Sequence, residues 1–87
     1  MDLSDWRQKI DSLNMELLKL LNERAKCALA IAAVKKDKNL AIHDPDRERQ
    51  VLDVVAGENP GPLSDESVRR IFACIIQEHR RLEELTP

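Results

Sequence analysis

The sequence is short of chain breakers. Its 87 residues include two glycines and four prolines, against 43% hydrophobic and 34% charged residues. That balance excludes a collagen-like repeat, a disordered chain and a turn-rich β-sandwich, and leaves helices as the default structure. Blocks of like charge are also missing: the formal net charge is -2, and basic residues alternate with acidic ones, so neither a nucleic-acid footprint nor a polybasic membrane patch is expected. Any cationic site must therefore be local. Close cysteine pairs are missing too. Cys27 and Cys74 stand far apart among apolar neighbours, which fits neither zinc spacing nor a disulfide framework and predicts two reduced core thiols. Residues 1 to 25 contain neither a basic start followed by an unbroken apolar run nor a span of about 20 apolar residues, so the expectation is a cytoplasmic protein without a membrane segment.

A chain of this length makes one domain, 1–87, and a compact monomer buries only roughly 60 to 65% of its extended-chain surface. What is present is a long helical pattern. Positions 3, 6, 10, 13, 17, 20, 24, 27, 31 and 34 carry Leu, Trp, Ile, Leu, Leu, Leu, Arg, Cys, Ile and Val, a 3-4 alternation that marks one helix seam. Ser4 is a candidate N-cap, the Lys35, Lys36 and Lys38 cluster complements the C-terminal dipole, and Asn39 can end the helix. The first helix is thus predicted over about residues 5–38. A helix of that size is on the order of 50 Å long, whereas a compact globule of this length has a radius of gyration of about 12 Å. Two shorter helices from the same chain would struggle to cover such a seam, and an interlocked homodimer is the simplest solution.

Asp44-Pro45 signals a second helix, because Asp caps and Pro fits a first turn; it is predicted over about 45–55. The Gly57 to Pro62 segment is the one strong breaker cluster. Ser64 then caps a third helix, predicted over about 65–85, with Val68, Phe72, Ile76, His79 and Glu83 on or beside its apolar face. The fold class expected is all-α, with one long and two shorter helices per chain in a helical-bundle dimer.

A charge inside an apolar seam must be paired or must face a ligand. Arg24 is such a charge: it is an internal ion pair, a snorkelling stem or a ligand-binding group. Lys35 lies on the same face about 16 Å further along the helix, and is either a solvated C-terminal charge or a second cation converging on a small dianion. The run Asp44 to Arg49 is a solvated first turn or the rim of that site. His79 and Glu83, four residues apart, share a face of the third helix. No nucleophile is convincing, since neither cysteine has an activating base. The carboxylates and His43 around the second helix repeat no known ligand spacing, so no metal is expected.

These residues, in order and with their spacings, resemble the all-helical chorismate mutases over nearly the whole chain. Arg7-Gln8-Lys9-Ile10-Asp11 followed by Leu17 to Arg24 looks like the family's first-helix signature, with Lys35 at the expected distance. Asp44-Pro45-Asp46-Arg47-Glu48 resembles its second-helix motif, and Ile71-Phe72 to Ile75-Ile76 its third-helix core. The stretch Asn59 to Glu66 looks most like mutase domains fused to prephenate dehydratase, which implies either a free-standing enzyme or a domain fused to, or associated with, a prephenate-processing enzyme. The resemblance implies a cofactor-free, metal-free isomerase that converts chorismate to prephenate in phenylalanine and tyrosine biosynthesis. It also implies a set of roles: Arg24 and Arg47 on the substrate carboxylates, with Arg7 reaching in from the other subunit; Lys35 on the ether oxygen and a carboxylate; Glu48 on the ring hydroxyl, with Asp44 nearby. Arg7 and Arg24 are about 25 Å apart along one helix, too far to grip one small molecule from the same chain. His79 stands where the best-known bacterial pattern has a serine that helps hold a carboxylate. Glu83 stands where that pattern has a glutamine that donates to the ether oxygen, and Glu donates only when protonated. Two rival functions are an isochorismate-pyruvate lyase, which shares the fold and a similar cationic pocket, and a non-catalytic helical dimerisation or effector-binding module.

Overall fold

The computed structural model describes residues 1–86. Three helices follow one another: α1 (Leu3–Asp37), α2 (Pro45–Glu58) and α3 (Asp65–Leu85). α1 begins two residues before the sequence-based expectation because Asp2, not Ser4, is the N-cap. Its side chain accepts from the Asp5 backbone N–H, and the Asp5 side chain accepts in return from the Asp2 N–H, which satisfies two free donors at once. At the other end Asn39 takes a left-handed φ of 58°. The Leu40 N–H reaches the Lys35 carbonyl at 2.7 Å, and the Asn39 N–H reaches that of Lys36 at 3.1 Å. This is a Schellman closure with Asn in the position usually held by Gly.

α2 opens as expected, with the Asp44 side chain accepting from the Arg47 N–H and Pro45 in the first turn. It runs to Glu58, three residues past the predicted end. Gly57 is still helical, and the effective stop is Asn59, whose extended backbone (ψ 115°) is what a following proline enforces. α3 starts on Ser64, whose hydroxyl accepts from the Ser67 N–H, and occupies the predicted span.

α3 packs on both other helices, while α1 and α2 make no close backbone approach among the described residues. The core is thin: Ala28 and Ala32 of α1, Ala56 of α2, and Val68 and Ile76 of α3 are its buried apolar residues. Every residue of α1 before Arg24 is exposed. The radius of gyration is 15.9 Å and the principal extents are 54 × 26 × 15 Å, the long axis being that of α1. Trp6, Ile10, Leu13, Leu17 and Leu20, the first half of the predicted seam, are between 47% and 59% exposed. An apolar stripe of this kind marks a surface that another body covers.

The predicted core thiols are a correction. Cys27 and Cys74 are both exposed in the single chain. Cys27 faces a cleft between helices, and Cys74 sits off the Val68, Ile76 and His79 face that α3 buries. Among the described residues no helix is long and apolar enough to cross a membrane.

Candidate functional site

The covered half of α1 begins where its polar seam residues begin. Beside Arg24 the three helices surround a cleft of about 290 Å³, near the lower bound for a small-molecule site. α1 contributes Arg24 and Lys35, the start of α2 contributes Asp44, Arg47 and Glu48, and α3 contributes His79 and Glu83. Seven of the eight residues singled out by sequence therefore line one cavity. Arg7 does not. It is exposed on the uncovered half of α1, about 25 Å along the helix from Arg24.

The cations of the cleft divide into two kinds. Arg80 is paired: its Nη1 donates to both oxygens of Glu48 at 2.8 and 3.0 Å, across the α2–α3 packing, and His43 Nε2 lies 3.5 Å from the same carboxylate. Arg24, Lys35 and Arg47 have no carboxylate at ion-pair distance among the described residues, in a chain that forms ion pairs readily elsewhere. Their hydrogen bonds go to neutral acceptors instead. Arg24 Nη1 lies 2.7 Å from His79 Nδ1, Lys35 Nζ donates to the Ile42 carbonyl at 2.9 Å, and Arg47 Nη1 donates to Gln50 Oε1 at 2.8 Å. Each cation is thus held in place without being neutralised, which leaves net positive charge facing the cavity. Neither the ion-pair nor the snorkelling reading of Arg24 describes this arrangement.

The Arg24 contact also fixes the state of His79. A guanidinium only donates, so Nδ1 must present its lone pair, and the ring is neutral with its proton on Nε2. The electrostatics agree. His79 is 9% exposed, and burial, then the adjacent Arg24 charge, push its pKa below the ordinary 6.5, with the Leu21 backbone acceptor working weakly in the other direction. Glu83 shifts upward from 4.5. Burial is the largest cause, Glu84 and Glu48 add to it, and Lys35 and then Arg24 oppose it. The competition between desolvation and Lys35 that sequence left open is thus won by desolvation.

Arg80 is the cleft residue that sequence reasoning missed. It sits beside Arg81 and four residues before Glu84, a spacing that reads as a solvated pair on one helix, and Nε does lie 3.8 Å from Glu84 Oε1. Its neighbour His79 on the buried face was the available signal. Asp44 touches the cleft, although one of its carboxylate oxygens caps α2 through the Arg47 N–H. Among the described residues no three His, Cys, Asp or Glu side chains are arranged to hold a metal ion.

The chain is similar to known proteins in both sequence and fold. The sequence model of the family described as chorismate mutase type II matches residues 6–84. A bifunctional chorismate mutase/prephenate dehydratase from Aquifex aeolicus (strain VF5) is 37% identical over 87 residues, which cover 95% of this chain and 24% of that protein. This chain therefore spans about a quarter of the length of that relative. A chorismate mutase from Methanocaldococcus jannaschii is 30% identical over 83 residues, 94% of this chain and 84% of that protein. The solved structure of chorismate mutase (form II) from Thermus thermophilus superposes with a TM-score of 0.94 at 34% identity, over 97% of this chain and 96% of that one.

Proposed function

Since the chain belongs to the chorismate mutase type II family, we propose that its cleft isomerises chorismate to prephenate and that the working unit is an interlocked homodimer. The observation that carries this reading is the set of unneutralised cations, Arg24, Lys35 and Arg47, around a small cavity. Chorismate is a dicarboxylate, and its rearrangement needs two things from a protein. It must be held in a compact conformer with the reacting carbons in contact, and the charge that builds on the ether oxygen as the C–O bond breaks must be stabilised. The new C–C bond forms as the old C–O bond breaks, so no proton, nucleophile or redox partner takes part.

Arg24 and Arg47 hold the two carboxylates and so fix the conformer. Lys35 and protonated Glu83 donate to the ether oxygen, where pre-placed donors act most strongly because they need no reorganisation. Glu48 keeps acceptor capacity beyond its two contacts with Arg80 and takes the ring hydroxyl. Arg7 completes the grip from the partner. The uncovered seam from Trp6 to Leu20 supports this assignment, since an antiparallel copy of α1 laid along it buries the apolar stripe and brings a second Arg7 back toward Arg24. Whether the chain acts alone or beside a prephenate-processing domain, its product belongs to aromatic amino acid biosynthesis.

The test follows prephenate formation by the wild type, Arg7→Ala, Arg24→Ala and an equimolar, subunit-exchanged mixture of the two variants, with isochorismate as a control substrate. Each variant alone should be nearly inactive. A mixed dimer carries one intact site in two, so the mixture should recover about a quarter of wild-type turnover. No recovery in a mixture shown to contain mixed dimers would remove the shared site. Pyruvate from isochorismate without prephenate from chorismate would replace the mutase with a lyase.

A further inference from the structure

The one polar side chain of the cleft that is nine-tenths buried is His79, and its geometry gives it a task different from that of a substrate ligand. Nδ1 faces Arg24 Nη1 at 2.7 Å. Because the guanidinium has no acceptor, this ring nitrogen is committed to Arg24 and has no proton to give a carboxylate. The opposite ring nitrogen carries the proton, and the Leu21 backbone of α1 lies near enough to the ring to work weakly against the downward shift of its pKa. The hydrogen bond the ring makes among the described residues is thus to α1.

We propose that His79 is a positioning residue for Arg24: its neutral, Nε2-protonated imidazole accepts a guanidinium N–H and holds that cation, undiminished in charge, toward the substrate carboxylate. The inference rests on the proposed role of Arg24 as a carboxylate anchor. A carboxylate in place of the imidazole would also hold Arg24, but would neutralise it. An apolar side chain would leave the long Arg stem free to sample other rotamers, at an entropic cost incurred on binding. A neutral acceptor avoids both losses.

The arrangement is sensitive to protonation of His79. The charged groups around the ring are Arg24 and Lys35 from α1, Asp44, Arg47 and Glu48 from α2, and Arg80 and Glu83 from α3; Arg24 is the one hydrogen-bonded to it among the described residues. A proton on Nδ1 removes the acceptor and sets two cations against each other, so Arg24 is displaced. Burial and the Arg24 charge both oppose that proton, which keeps the contact intact down to a pH below the ordinary imidazole range. The burial that depresses His79 also raises Glu83. Both shifts favour the neutral forms, and they bring the pH range of an Arg24-holding His79 and that of an ether-donating Glu83 closer together.

The experiment combines kinetics with nitrogen NMR of the imidazole. KM and kcat are measured against pH for the wild type, His79→Leu and His79→Gln, the last placing a non-titrating amide oxygen near the site of Nδ1. Wild-type KM should rise as pH falls through the His79 titration. His79→Leu should raise KM at neutral pH by about tenfold, the usual worth of a hydrogen bond to a charged group, with kcat changed far less, and its KM should lose the acid limb. His79→Gln should restore much of KM without that limb. If His79→Leu fails to fold, the His79→Gln profile decides alone. In substrate-free protein, the nitrogen shifts should report the Nε2–H tautomer and a pKa that rises in Arg24→Met. An Nδ1–H ring, or an acid limb that survives in His79→Gln, overturns this inference while leaving mutase activity standing. A wild type that makes no prephenate overturns the proposed function instead, and the NMR result still stands.

Discussion

Residues 3–23 and 24–37 of α1 are one continuous helix with one apolar spacing, yet they are in opposite situations. The first half exposes all its residues; the second packs on α3, buries Ala28 and Ala32 beside the seam, and carries Arg24 and Lys35 into the cleft, while its seam residues Ile31 and Val34 stay exposed. An isolated helical stretch of this kind gains too little from propensity to be stable in water, because most helix stability in proteins comes from covering an apolar face. Periodicity thus reports which face must be covered but not by which chain. The two halves also divide the labour: the uncovered one holds Arg7 and the proposed assembly surface, and the covered one lines the cleft.

The largest effect expected is from Leu17→Glu. In the single chain Leu17 is 57% exposed, and substitution of such a residue shifts stability by no more than about 0.5 kcal/mol. In the proposed dimer the same change buries an unpaired carboxylate in the seam, and the assembly should come apart with loss of helicity and turnover. Sedimentation and circular dichroism over a range of protein concentrations check this, since the melting temperature of the wild-type dimer should rise with concentration. A folded, active Leu17→Glu monomer would erase the distinction between the two halves. Next in size is Lys35→Ala in the covered half. Losing one pre-placed donor at the developing charge costs about 2.7 to 4 kcal/mol, or 10² to 10³ in kcat, with helicity retained. Its exposed neighbour Lys36 provides the control, and Lys36→Ala should leave turnover near wild type.

Much of this was legible in the sequence because it depends on local rules. The long first helix, the Pro45 start, the Ser64 cap and the stop at Asn39 follow from spacing and backbone preference, and Arg24 announced itself by breaking the apolar pattern. What was missed depends on competition or on contacts between helices. Asp2 displaced Ser4 as the N-cap because Asp5 lies where it can return the hydrogen bond. Gly57 was overruled by the stronger stop at Asn59-Pro60. Arg80 was hidden because its main partner, Glu48, is 32 residues away on another helix, so its place beside His79 is the one local sign that distinguishes it from the exposed Arg81. The exposure of Cys27 follows from its place in the lining of the open cleft between helices.

The smallest effect at neutral pH and the most diagnostic is that of Glu83→Gln, because it tests whether the cleft's burial has chemical consequences. The folded pKa of Glu83 is raised above 4.5 by burial against the opposing pull of Lys35 and Arg24. The protonated form, proposed to donate to the ether oxygen, is therefore fully present below that ordinary value and is lost as pH rises through the shifted one. Wild-type kcat should fall along that limb. Glu83→Gln keeps a donor at every pH, so its kcat should be flat on the alkaline side, while its KM still rises on the acid side with His79. Stability should move with the same sign: a carboxyl group whose pKa rises on folding favours the folded state while protonated and disfavours it once ionised, so Glu83→Gln should melt higher than the wild type only on the alkaline side. A flat wild-type profile together with identical melting curves would mean that Glu83 stays ionised beside Lys35. In that case the ether oxygen would depend on Lys35 alone, and Lys35→Ala should then abolish turnover at every pH, with no residual acid-side activity.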